Sequence, residues 1–223
     1  MDLIHRVKIN QIEMMELRGK VIPSVERPIK SMSTGKFEEY YQNRLSEPGH
    51  PLNMVYYTSD AIGTLSDPLP IFYVQSPDGT SIKGVELREK FFELLTAGKY
   101  GNAILIHLGK ITSLKSIIKE YPAYIITVFD MNELIVNPTK HVFSDKIVKK
   151  LNNNEIRTLT KRIKPENLQQ LCYDDPVVKF WGFVPGDIAL LDDLIGDDRL
   201  MVKGYQIHKL VGTNSIHSTD RNI

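Results

Sequence analysis

Asn102-Ala-Ile-Leu-Ile-His-Leu108, Thr112-Ser-Leu-Lys-Ser-Ile-Ile-Lys-Glu120 and Ala123-Tyr-Ile-Ile-Thr-Val-Phe129 follow one another along the chain. The outer two are short apolar runs with the character of buried strands, and the middle one is a short helix. Upstream, Leu87, Phe91, Leu94 and Leu95 fall at i, i+4, i+7 and i+8, which predicts a helix over 82–97 that stops at Gly98. Before it, Leu52 to Thr58 and Leu69 to Gln75 are rich in Val, Ile, Tyr and Phe, and Gly63, Asp67 and Pro68 separate them as a loop would. Pro77-Asp-Gly79 is a turn signal. Strands alternating with helices predict a sheet with helices packed on it.

Nearer the N-terminus, Leu3, Val7, Ile9, Ile12, Met15 and Leu17 recur at helical spacing and Gly19 supplies a stop, so residues 2–18 read as an amphipathic helix. A second helical stretch, Phe37 to Leu45, ends at the Ser46-Glu-Pro-Gly-His-Pro51 cluster. Toward the C-terminus the pattern stops near Asn137-Pro138, and a second unit follows. In it Ile156, Leu159 and Ile163 form a helical stripe, with Asn152 and Glu155 placed as N-cap and capping-box partner. Ile188 to Leu191 and Leu200 to Leu210 read as strands around an acidic turn, Asp192 to Asp198, and the tail from Gly212 is polar.

The 223 residues, 42% of them apolar, suit one large domain or two small ones, and 28 Lys plus Arg against 27 Asp plus Glu leave a net charge of +1. Such balance excludes a polyelectrolyte tail or a general basic coat, so any DNA contact must come from a local patch. Charge is nonetheless segregated in the second unit. Residues 144–164 hold seven basic and two acidic residues, a net of +5, whereas residues 174–198 hold one basic and seven acidic, a net of −6. These are either two solvated faces or a docking surface for a charged partner. The apolar runs Ala103 to Leu108 and Ala123 to Phe129 are far shorter than the roughly 20 residues needed to cross a bilayer. His5, Arg6, Lys8, Glu13 and Glu16 break any signal-peptide core, so the protein is expected to stay where it is made.

Several chemistries lack their residues. No Gly-rich run ends in Gly-Lys-Ser/Thr, no Gly-x-Ser-x-Gly elbow occurs, and the six histidines are scattered, so nucleotide hydrolysis, acyl transfer and a structural metal are not expected. The single Cys172 cannot make an internal disulfide, which fits a reducing compartment, and beside Leu171 it reads as a small core residue. His107 reads as a hydrogen-bonded core histidine. Pro77-Asp78 with Glu86-Leu-Arg88 mimics the acid, acid and base set of restriction-type nucleases, which must converge from a strand. Here Glu86 and Arg88 fall in a helical stretch, where residues two apart diverge by about 200°.

Against this layout, Asp175-Pro-Val-Val-Lys-Phe-Trp-Gly-Phe-Val-Pro-Gly-Asp187 resembles the Asp-Pro-Val-Ala-Arg-Tyr-Tyr-Gly segment of the fifth common subunit of eukaryotic DNA-directed RNA polymerases, which the archaeal counterpart of that subunit shares. Ala103 to Lys115 and Tyr124 to Leu134 resemble that family's N-terminal domain, where an Ala-Ile-Ile-Val strand leads to a Gly-x-Thr-Pro-Ser loop. Arg18-Gly-Lys20 after the first helix, the strand Leu52 to Asp60 and His141 at the hinge fall where the family would have them, so the likeness covers roughly residues 3–211.

The resemblance implies an α+β protein with a jaw domain at 1–140, helices on a mixed sheet like a restriction nuclease without its active site. A small α+β assembly domain at 141–211 and a polar tail at 212–223 would follow. It implies a non-catalytic subunit with no cofactor in this chain. The assembly domain docks on the largest polymerase subunit through Asp175, Pro176, Val177, Phe180, Trp181, Gly182, Gly186, Asp192 and Asp193, with neighbouring subunits as further partners. The jaw lines the downstream DNA channel. There Lys110 and Lys115 would neutralise phosphates of the duplex while Thr112 and Ser113 or their amides bond to oxygens, reading no bases. The alternatives are a stand-alone restriction-like nuclease or a free adaptor of the same fold.

The chain also departs from the family. Pro185 stands where a basic residue is expected before Gly186, the Val-Pro-x-His element is not recognisable in Ser144 to Val148, and the turn after Asp187 has become acidic. That turn should meet a different partner surface. The expectation is therefore a divergent polymerase such as that of a large DNA virus, placing the protein in host cytoplasm and virion, or in the nucleus if the enzyme is cellular.

Overall fold

The computed structural model describes residues 1–45, 49–75, 81–111, 114–141, 146–193 and 205–212. Its helix α1 (Asp2–Leu17) ends where Gly19 takes a φ of +69°. The buried face of α1 is not the apolar stripe alone: Val7, Ile12, Met14 and Met15 are joined by His5, Lys8 and Gln11, while Leu3 is exposed. A 3₁₀ turn, Arg27–Ser31, leads to α2 (Thr34–Asn43), with Ser33 as N-cap.

The strands β1 (Met54–Ser59) and β2 (Leu65–Gln75) form an antiparallel hairpin, whose tip is set by Asp60 accepting from the amides of Ile62 and Thr64 at 3.0 and 2.8 Å. Asp67 and Pro68, expected in the loop, lie inside β2. Asp67 adopts φ +50°, and Lys20 Nζ binds its carbonyl at 2.8 Å and Thr58 Oγ1 at 3.0 Å. Pro68 is tolerated because pairing to the next strand begins only at Ile71, so it interrupts no central ladder.

After β3 (Ser81–Ile82) the expected helix starts later, at α3 (Gly84–Leu87), and continues through a π turn, Arg88–Phe92, into α4 (Glu93–Ala97). The wider turn shifts the helical phase. Leu87, Phe91, Phe92 and Leu95 are buried, and Leu94, expected in the stripe, is 42% exposed.

Then come β4 (Asn102–Leu108), β5 (Lys110–Ile111), α5 (Leu114–Lys119) and β6 (Ile125–Asp130). The mixed sheet has the order β1-β2-β4-β6, with β2, β4 and β6 parallel. Parallel neighbours require crossovers, supplied by α3–α4 and α5. These helices bury Phe72, Val74, Ala103 and Leu105 on one face. Alternation sends Ile71, Tyr73, Ile104 and Ile106 to the other, where Tyr73 meets Gln11 of α1. Asn10 Nδ2 ties α1 to the carbonyls of Leu134 and Ile135 at 2.8 and 3.0 Å.

The chain divides into two units, Met1–Val136 and Asn137–Ile223. The second begins with the 3₁₀ turn Pro138–Lys140, which packs on a helix of that unit. Its sheet has the order β7-β9-β10-β8, from β7 (Ile147–Lys150), β8 (Gln169–Cys172), β9 (Ile188–Asp193) and β10 (Tyr205–Gly212), with β8 and β10 parallel. Helix α6 (Asn153–Thr160) covers Ile188 and Leu190, and α7 (Pro176–Trp181) lies on the opposite face over Ala189 and Leu191. The expected capping box is present, with Asn152 Oδ1 accepting from Glu155 N at 3.1 Å and Glu155 accepting from Asn152 N at 2.9 Å. Cys172 corrects an expectation: strand alternation buries Leu171 and exposes Cys172. The turn at Pro77-Asp-Gly79, the strand start at 200–204 and the tail beyond Gly212 lie outside the described residues.

Candidate functional site

Asp175 is an N-cap. Its carboxylate accepts from the amides of Val177 and Val178 at 2.8 and 3.4 Å, and Pro176 follows at the first helical position, where its missing N–H costs nothing. The Asp-Pro pair with Gly182 downstream was a readable helix signal. Gly182 stops α7 at φ +73°, a left-handed conformation that a side chain would strain. Val177 and Phe180 are 6% and 0% exposed, so both side chains are buried beneath α7. Trp181 is half-buried and packs on Phe183 with ring centres 6.1 Å apart, leaving part of the indole uncovered.

The chain then turns at Gly186, whose φ is +95° and whose amide donates to Val211 O at 2.9 Å. Asp187 closes this turn by accepting from Val184 N at 2.7 Å, and Lys150 Nζ lies 2.6 Å from the same carboxylate oxygen. The segment from Asp175 to Asp187 is thus a helix and a glycine turn held to β10 and β7. Asp192 and Asp193 lie at the end of β9, opposite Gln206 and Tyr205. Their side chains lie outside the described residues.

In the first unit Lys110 is exposed on β5, opposite Ser81, just after Gly109 turns the chain at φ +106°. His107 Nδ1 is 2.9 Å from Gly109 O and 3.9 Å from Asp130, a half-buried, hydrogen-bonded histidine beneath the loop. Thr112, Ser113 and the Lys115 side chain lie outside the described residues, so of the four loop residues only Lys110 has a described position. Arg88, considered as a nuclease base, is engaged bidentately by Glu120, with Nη2 2.8 Å from Oε1 and Nε 3.2 Å from Oε2. Asp78 and the Glu86 side chain lie outside the described residues. Among the described residues no cluster of His, Cys, Asp and Glu is placed to hold a metal, and no helix is long and apolar enough to cross a membrane.

Sequence reasoning missed a buried polar cluster. Lys8 and Glu26, both 0% exposed, form an ion pair, and Tyr56 donates its hydroxyl hydrogen to the same carboxylate. Lys8 Nζ also donates to Gln11 Oε1 at 2.7 Å and Leu52 O at 3.4 Å, while Gln11 Nε2 donates to Tyr56 Oη at 2.8 Å and Tyr73 Oη donates to Gln11 Oε1 at 3.3 Å. Burial draws the Lys8 ammonium below its ordinary pKa against the pull of Glu26, and pushes both tyrosines well above theirs, with Glu26 adding to the effect. His50 stacks on Tyr73 at 5.4 Å, and burial, with the Lys8 charge, lowers its pKa to about 4. The only warning in the sequence was that Lys8 and Gln11 share a helix face with Val7, Ile12 and Met15.

No protein-family model and no curated protein matches this chain.

Proposed function

We propose that this chain is a non-catalytic subunit of a multi-subunit DNA-directed RNA polymerase. Its second unit docks on the largest subunit, and its first, a jaw domain with a restriction-nuclease-like fold and no active site, lines the downstream DNA channel. The observation that carries the reading is the Asp175–Asp187 segment, whose sequence resembles the family's. Four of its shared residues have a physical role in the backbone: Asp175 caps, Pro176 starts and Gly182 ends α7, and Gly186 makes the following turn. The exposed Lys110 beside the Gly109 turn supports a phosphate contact. The acidic end of β9 supports a divergent, viral polymerase, acting in host cytoplasm and carried in the virion.

The test is gentle affinity purification from the native source, followed by mass spectrometry of what co-purifies at near-equal stoichiometry. Two very large polymerase subunits are expected. Recovery of the chain alone, from lysate in which a polymerase is demonstrably intact, would overturn the proposal in favour of a free adaptor.

A further inference from the structure

Helix α6 and the turn after it carry Arg157, Lys161 and Arg162, three exposed cations with no acidic partner among the described residues. The carboxylates around them are engaged elsewhere. Glu155 is paired with Lys149 and bonded to Asn152 N at 2.9 Å, which holds its carboxyl below the usual range. Glu166 lies 3.9 Å from Lys164, and Asp187 2.6 Å from Lys150. The positive charge predicted for residues 144–164 is therefore only partly cancelled on folding.

Beside these cations the surface is not flat. A shallow groove of about 430 Å³ runs between the end of β7 and α6, with the half-buried Leu159 above the buried Leu151 and Leu190 as its apolar floor and Asn154, Thr158 and Arg162 on its wall. The groove exists because α6 is only eight residues long and covers this sheet face mainly with Ile156 and Leu159.

We propose that this groove docks an acidic, amphipathic segment of a partner polypeptide, which seats an aliphatic or aromatic side chain on the leucine floor and faces carboxylates to Arg162, Lys161 and Arg157. Charge complementarity selects an acidic partner, and the partly exposed Leu159 selects a polypeptide over a nucleic acid, whose phosphates would use the cations alone. Exposed ion pairs add little affinity, so the cations steer and orient the segment while the buried side chain anchors it. This surface is separate from the α7 segment assigned to the largest subunit.

Fluorescence anisotropy on the full chain tests it, with a labelled 12-residue peptide in which Asp and Glu alternate with Leu and Phe. The comparison probes are the same peptide with Lys in place of its acids, a polyglutamate of equal charge and a 12-nucleotide single-stranded DNA. Saturable binding of the first is expected, with each comparison probe at least ten-fold weaker. Lys161→Glu with Arg162→Glu should weaken the acidic peptide at least ten-fold, and the milder Arg157→Ala with Arg162→Ala about three-fold, with unchanged circular dichroism. Equal binding of polyglutamate or DNA, full affinity in the charge-reversed chain, or no binding at millimolar peptide would each overturn the proposal.

Discussion

Lys8 and Glu26 are sealed from solvent, and a buried ion pair costs more when broken than it contributes when made. Lys8→Met or Glu26→Gln alone should destabilise the first unit by about 3–5 kcal/mol, because each leaves its partner buried and uncompensated. Lys8→Met combined with Glu26→Leu should recover much of that loss. Hydrogen exchange of the α1 amides in the full chain measures both effects, and a double variant no more protected than the worse single one would refute the pairing. His50 makes a second prediction. Its pKa of about 4 lies below the ordinary 6.5, so the unfolded chain takes up the proton first as the pH falls. The stability contributed by neutral His50 is whole above pH 6.5 and is lost between 6.5 and 4, at up to about 1.4 kcal/mol per pH unit. The Lys8 cation and the rings of Tyr41 and Tyr73 face it. Relative to the native chain, His50→Gln should flatten the dependence of the urea midpoint on pH in that window, and parallel curves would count against it.

At the scale of elements, the turn after α7 depends on a backbone conformation that only glycine adopts without strain. Nothing lies within 4 Å of a Cβ built on Gly186, so Gly186→Ala tests its φ of +95° free of any clash. The expected cost is about 1–3 kcal/mol in chemical denaturation followed by Trp181 fluorescence. No change would mean that the turn relaxes. The β5 loop makes a different kind of prediction, since surface cations facing phosphate act through counterion release. If the chain is the polymerase subunit proposed, Lys110→Ala with Lys115→Ala should weaken retention of downstream DNA by the assembled enzyme and reduce its salt slope by about 2, while incorporation of the subunit is unaffected. Equal retention across a salt titration would exclude the loop from the DNA contact.

For the whole molecule, the overall charge of +1 conceals sequence segments of opposite sign within the second unit. If β9 ends against a basic partner surface, Asp192→Lys with Asp193→Lys reverses two charges there and should lower incorporation into the polymerase several-fold. Normal stoichiometry in the purified complex would remove these residues from the assembly surface.

Sequence alone determined the elements whose burial follows from period and whose ends follow from local chemistry. The strand Asn102–Leu108, the helix capped by Asn152 and Glu155, and the stop at Gly19 are of this kind, since alternation, capping and left-handed glycine act within a few residues. Tertiary structure alone decided the π turn, which brings Phe91 and Phe92 together into the core and turns Leu94 out. It also decided the exposure of Cys172, and the place of Asp67 and Pro68 within β2, held by Lys20 from far along the chain. The Lys8–Glu26 cluster belongs here too. A lysine on an apolar helix face with Gln11 one turn on is readable as such, but the Glu26 carboxylate and the Leu52 carbonyl reach it only when the segments before the 3₁₀ turn and before β1 pack against α1. Of the candidate site, neither α7 nor the turn at Gly186 was expected from the sequence, although the Asp-Pro cap and the glycine stop that signal them are local. The groove beside α6 was not legible, because its floor joins Leu190 of β9, far along the chain, with Leu159 of α6 and Leu151 of the connection that leads into α6.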